Sequence, residues 1–73
     1  MNTGIVKRSV AIAGHRTSVS LEQSFWDELK RLAQERGVSV NALIADIDAR
    51  RARTNLSSAI RLEILDDLKQ RVP

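Results

Sequence analysis

Arg16-Thr17-Ser18-Val19-Ser20-Leu21 alternates without a break: Thr17, Val19 and Leu21 fall on one side of an extended chain, and Arg16, Ser18 and Ser20 on the other. Period-two alternation of β-forming residues with small polar ones is the mark of a half-buried strand. Working upstream, Val10 and Ile12 alternate in the same way, and Ala13-Gly14-His15 interrupts the pattern as a bend, a bulge or a short hairpin turn. Met1 to Gly4 reads as a disordered start. Downstream the period changes from two to about 3.6, and the chain becomes helical.

Glu22 to Arg36 predicts a helix, with Phe25, Leu29, Leu32 and Ala33 on one stripe and Trp26 widening it. Ser20-Leu21-Glu22-Gln23 offers a capping box at its start, and Gly37 a left-handed stop at its end. Ser39 then caps a second helix, in which Val40, Leu43, Ile44 and Ile47 form the apolar stripe. Val38 and Leu43 have the spacing of a hydrophobic staple. Arg50-Arg51-Ala52-Arg53 closes that helix with positive charge, which suits the negative end of its dipole. Thr54-Asn55 marks a break, with Asn55 as the next cap. A third helix follows, with Leu56, Ile60, Ile64, Leu68 and Val72 every four residues and Leu62 and Leu65 broadening the stripe. The expected organisation is a basic arm over 1–14 (partly strand if the upstream alternation holds), a strand-helix-helix core over 15–53, and a C-terminal helix over 54–73. Internal repeats and low-complexity runs are not expected.

Size points to a second copy. A domain as short as these 73 residues buries only about 60% of the surface its unfolded chain exposes. Small scaffolds recover the deficit with disulfides, a metal or self-association. With no cysteine and one histidine, His15, association is the remaining route. A lone strand also leaves a row of backbone groups unpaired. Antiparallel pairing of Arg16–Leu21 with its mate across a two-fold axis satisfies that row. The core of such a homodimer would hold Val19, Leu21, Phe25, Trp26, Leu29, Leu32, Leu43, Ile44 and Ile47. No stretch approaches the roughly 18 apolar residues of a membrane span, and Lys7 and Arg8 interrupt any secretory leader, so a cytoplasmic protein is expected. The net charge is +3, and its placement is more telling: Met1 to Leu21 carries Lys7, Arg8 and Arg16 and no acid. A basic end on a near-neutral body suits a polyanion.

The order strand, helix, Gly37-Val38-Ser39-Val40-Asn41, helix resembles the ribbon-helix-helix superfamily of the Arc and MetJ type repressors. Further strings resemble a small bacterial branch with a longer N-terminal arm and a third helix. These are Lys7-Arg8-Ser9-Val10, Gly14 to Leu21, Phe25-Trp26 and Asn55-Leu56-Ser57-Ser58-Ala59. The resemblance implies a mostly helical homodimer that inserts a two-stranded antiparallel ribbon into the DNA major groove, which admits such a ribbon. By position, Arg16, Ser18 and Ser20 take the base-reading role. Ser39, Val40 and Asn41, at the start of the second helix, match where the family clamps a phosphate, and free N–H groups at a positive dipole end suit that role. Lys7 and Arg8 would add phosphate contacts. A transcriptional repressor is the implied function, with double-stranded DNA and a second copy as partners.

Three rivals stand beside this reading. A helix-turn-helix fits Ala33 to Ser39 but needs apolar residues at Arg36 and Asp46. A protein-interaction module, such as an antitoxin or adaptor, would use the third helix. If Lys7–Ala13 paired beside Arg16–Leu21, two copies would make a four-stranded sheet too wide for the groove, which would favour that second rival. Catalysis is not expected: Cys and Tyr are absent, no glycine-rich phosphate loop occurs, and Asp46 with Asp48 and Asp66 with Asp67 lack a His or Lys at hand. No cofactor or metal is implied.

Overall fold

A computed structural model describes residues 4–51 and 54–71 of the chain. Two strands, β1 (Ile5–Ile12) and β2 (His15–Glu22), precede three helices, α1 (Gln23–Arg36), α2 (Val40–Arg50) and α3 (Leu56–Arg71). The strands form one antiparallel hairpin, with Val6 opposite Leu21, Arg8 opposite Val19, Val10 opposite Thr17 and Ile12 opposite His15. The expected ribbon is therefore present, but both of its strands come from one chain. The reason is local: Ala13 and Gly14 both take positive φ, 51° and 80°. This two-residue turn has the backbone twist that a tight hairpin requires. The upstream alternation is a strand, and the interruption after it is a turn.

Because directly opposed residues share a face, Val6, Val10 and Ile12 lie on the same side of the ribbon as Val19 and Leu21. That side covers the helices. The core joins Ile12, Val19 and Leu21 to Trp26, Leu29, Leu32 and Ala33 of α1, Leu43, Ile44 and Ile47 of α2, and Ile60 and Ile64 of α3. Eight of the nine residues expected between two copies are thus buried within one chain; Phe25 is half-buried, with the Arg61 guanidinium 5.6 Å from its ring centre. The Trp26 indole N–H donates to the Val6 carbonyl at 2.9 Å and ties α1 to β1.

The helix ends follow their side-chain chemistry, with one exception. Gly37 adopts the left-handed conformation at φ 69°. Its N–H donates to Gln34 and that of Val38 to Ala33, closing α1. Ser39 Oγ accepts from the Ala42 N–H at 3.0 Å, and Asn55 Oδ1 from the Ser58 N–H at 2.8 Å. The exception is the capping box expected at Ser20. Glu22 occupies the cap position of α1 in an extended conformation, and its side chain makes no capping bond. Ser20 stays in β2, and the first helical N–H, that of Gln23, donates to the Gly4 carbonyl at 3.2 Å.

α3 supplies from within the chain the cover expected of a second copy. Ile60 and Ile64 are fully buried. Leu62 and Leu65 do not broaden that stripe. At 3.6 residues per turn they fall on the far side of the helix from Ile60 and Ile64, and they are 55% and 49% exposed. Ala52, Arg53 and Val72, part of the expected basic helix end and apolar stripe, lie outside the described residues.

Truncating Ile60 to Ala removes a buried side chain at the helix–sheet junction and is expected to cost about 2–5 kcal/mol in chemical denaturation. Ala13→Asn replaces a strained left-handed alanine with a residue that tolerates that conformation. It is expected to stabilise by about 0.5–1 kcal/mol. A lower urea midpoint for Ala13→Asn would contradict the turn geometry.

Candidate nucleic-acid interface

The opposite face of the hairpin is open to solvent. Lys7, Ser9 and Ala11 of β1 stand directly across from Ser20, Ser18 and Arg16 of β2. All six are exposed apart from Ser20, which is half-buried. No acid lies on the ribbon before Glu22, and the Glu22 carboxylate is held by Arg61 at 2.9 and 3.0 Å. The face therefore presents two cations and small polar groups, a combination that suits a polyanion. Arg16, Ser18 and Ser20 share this face as the alternation implied. Lys7 and Arg8, each expected to contact phosphate, point to opposite sides. Arg8 is on the core side, its guanidinium 5.3 Å from the Trp26 ring centre.

Each outer edge of the ribbon is capped at one residue by side chains. In a two-residue hairpin, alternate residues aim their N–H and C=O groups away from the partner strand. At Ala11 on the β1 edge, Asn41 satisfies both: its Oδ1 accepts from the Ala11 N–H at 3.2 Å and its Nδ2 donates to the Ala11 carbonyl at 2.6 Å. At Ser20 on the β2 edge, Ser57 Oγ accepts from the N–H at 3.4 Å, and the Arg61 guanidinium lies 3.5 Å from the carbonyl. Side-chain bonds of this kind blunt an edge against added strands, and each edge carries them at one residue, Ala11 on β1 and Ser20 on β2.

The Asn41 clamp also sets the second part of the site. It brings the N-terminus of α2 against β1 beside the turn. Ser39 Oγ satisfies one of the first helical N–H groups, while those of Val40 and Asn41 have no intrahelical acceptor. The expected anion seat at Ser39, Val40 and Asn41 is thus adjacent to the ribbon face, with backbone donors only, since the Asn41 amide is engaged with Ala11. The roles of Asn41 and Arg61 as edge closures have no local signal: each acts on a residue at least 30 positions away.

Ion pairs fasten α3 to the rest. Arg31 contacts Glu28, Glu35 and Asp67 at 2.7–3.0 Å, Arg71 contacts Glu35 and Asp67, and Glu63 bridges Arg36 and Arg50. Arg31 holds Glu35, with Arg71 behind it, below the ordinary carboxylate range, and Arg71 and then Arg31 do the same to Asp67. Glu22 is lowered by its own backbone N–H and by Arg61. Among the described residues no cluster of His, Cys, Asp or Glu is arranged to hold a metal ion.

A family model described as a ribbon-helix-helix domain matches residues 5–68 of the chain. Among solved structures, the chain is similar to an uncharacterized protein from Bordetella pertussis Tohama I. The two are 31% identical with a TM-score of 0.77, over 99% of this chain and 65% of that one. The chain thus spans just under two thirds of that relative. No curated protein matches it.

The lowered carboxyl groups make stability pH-dependent. A carboxyl depressed in the folded state contributes above its unfolded value, about 4, and the contribution is lost as pH falls through the folded value. The urea midpoint is expected to hold from about pH 7 to about 5 and to fall below about 4. In Arg31→Met, which removes one of the two guanidinium partners of Glu35 and of Asp67, the acid-induced drop is expected to shrink. An unchanged drop would mean these pairs do not anchor α3.

Proposed function

The chain belongs to the ribbon-helix-helix family, and from that premise we propose that it is a DNA-binding transcriptional regulator, most simply a repressor acting in a bacterial cytoplasm. The observation that carries this reading is the outer face of the hairpin: two strands wide, free of acid as far as Glu22, and bearing Lys7 and Arg16. The major groove, about 12 Å wide, admits a ribbon of this width. Arg16 can engage a guanine edge with two donors, while Ser18 and Ser20 donate or accept with less discrimination. The N-terminus of α2, beside Ala11, would take a flanking phosphate through the Val40 and Asn41 N–H groups.

Members of the family generally bind DNA as dimers. In this chain the strand partner is internal and both ribbon edges are closed at one point, so a homodimer would need a further surface. Leu62, Leu65 and Leu68 on the outside of α3 are the exposed apolar stripe available for it. The same stripe, together with the pairing of β1 beside β2 that would make two copies too wide for the groove if their ribbons joined, favours a second reading, a protein-interaction module of the antitoxin or adaptor kind that docks a partner on α3.

The first test is titration of fluorescent mixed-sequence duplex DNA at about 50 and 200 mM salt. Affinity is expected to fall steeply with salt, by about a decade for each few phosphates contacted. Arg16→Ala is expected to weaken binding further. No binding at low salt by a folded protein would remove the DNA reading, and Leu62→Glu/Leu65→Glu would then become the variant to compare in partner capture and sedimentation.

A further inference from the structure

The side of α3 that faces away from the core carries a seam of its own. At 3.6 residues per turn, Ser58, Leu62, Leu65 and Lys69 fall in a narrow strip opposite the buried Ile60 and Ile64. Their spacing is the a/d pattern of a coiled coil, with Leu62 and Lys69 at a positions and Ser58 and Leu65 at d positions. Nothing in the chain covers the leucines: Leu62 and Leu65 are 55% and 49% exposed, and Leu68 on the flank is 39% exposed. Val72, the next d position, lies outside the described residues.

The charges beside the strip are sorted as well. Of the acids on α3, Glu63 pairs with Arg36 and Arg50, and Asp67 with Arg31 and Arg71. Asp66 has no ion pair among the described residues, and it stands on the e flank of the seam. Arg61 stands on the g flank. Its Nε and Nη2 are given to Glu22, and its Nη1 has no acceptor among the described residues.

We infer that α3 pairs in parallel with α3 of a second copy along this strip. In a parallel two-stranded coil a g residue meets the e residue of the next heptad in its partner, and Arg61 and Asp66 have that spacing. Two symmetric Arg61–Asp66 pairs would then flank the leucines. Antiparallel helices bring like flanks together, which sets Arg61 against Leu68 and leaves Asp66 beside Ala59. The hairpin gives the same direction. Ser57 and Arg61, near the start of α3, contact Ser20 of β2, so the ribbon sits at the N-terminal end of the helix. Parallel pairing places both ribbons at one end of the dimer, where a single duplex can meet them, and antiparallel pairing sends them to opposite ends. The inference rests on the DNA-binding reading above and supplies its second copy without joining the ribbons. Lys69 at an a position costs stability and favours two strands over more, with its aliphatic stem along the leucines and its charge in water. The 16-residue helix holds little more than two heptads, so the association is expected to be reversible.

The chain has no cysteine, so introduced thiols report orientation. Sedimentation equilibrium of wild type without DNA, from about 1 to about 200 µM, is expected to show a monomer–dimer equilibrium. Leu62→Glu/Leu65→Glu is expected to stay monomeric over that range with unchanged circular dichroism. Asp66→Arg, which sets like charges on facing flanks, is expected to raise the dissociation constant about tenfold. Lys69→Cys is expected to form a disulfide with its own kind under mild oxidation, because parallel a positions face each other. Monomer throughout would overturn the inference and leave the stripe to a different protein. A dimer indifferent to Leu62→Glu/Leu65→Glu and to Asp66→Arg would overturn it too. So would a dimer in which Lys69→Cys cross-links only when mixed with Ser58→Cys, or not at all. These readouts contain no DNA: a dimer that binds no duplex keeps the α3 pairing and loses the regulator reading, and a monomer that binds duplex does the reverse.

Discussion

The pairing of β1 with β2 through Ala13 and Gly14 is the constraint on which the rest depends. A strand must find partners for its backbone groups, and the cheapest source is the chain immediately before it, provided the connection can reverse direction in two residues. Gly14 adopts a positive φ without strain and Ala13 accepts it at some cost. Once the hairpin closes, the register places Val6, Val10 and Ile12 beside Val19 and Leu21, and a ribbon with one apolar face exists before any helix packs on it. A chain forced to borrow its second strand would expose different edges and leave the upstream segment as an arm.

The same economy explains α3. Two helices and a ribbon leave a gap over α1 and α2 that a small domain cannot leave wet. Ile60 and Ile64 fill it from within the chain, and ion pairs from Arg31, Arg36 and Arg50 to α3, and from Arg71 to Glu35, hold the helix in place. Those pairs lie at the surface, so they orient α3 more than they stabilise it. The buried isoleucines carry the energy. α3 also reaches the ribbon itself, where Ser57 and Arg61 close the β2 edge and Arg61 neutralises Glu22. Packing, edge protection and the charge of the outer face are thus linked through one helix.

Local signals make much of this legible. The alternation at Arg16 to Leu21 places Val19 and Leu21 inward and Arg16 and Ser18 outward, and the structure agrees. Gly37, Ser39 and Asn55 stop and start helices where their chemistry places them, because capping involves only residues three or four apart. The capping box at Ser20 is legible but does not form: Ser20 stays in the extended β2, and the first helical N–H, that of Gln23, goes to the Gly4 carbonyl instead. Arg8 reads locally as surface charge alongside Lys7. The strand's alternation sends it to the other face, onto Trp26.

What the sequence by itself determined is every feature set by short-range periodicity and capping: strand then helices, the apolar stripes, the basic N-terminal third and the family to which the pattern belongs. What only the tertiary structure decided is which strand pairs with which, that α3 covers the core and leaves Leu62 and Leu65 outside, and that Asn41 and Arg61 close the ribbon's edges. Each of these joins residues separated by turns and helices in the chain. Partner choice among several apolar surfaces is settled by packing and by the demand that every backbone group find a bond. Neither of those is visible in any window of a few residues.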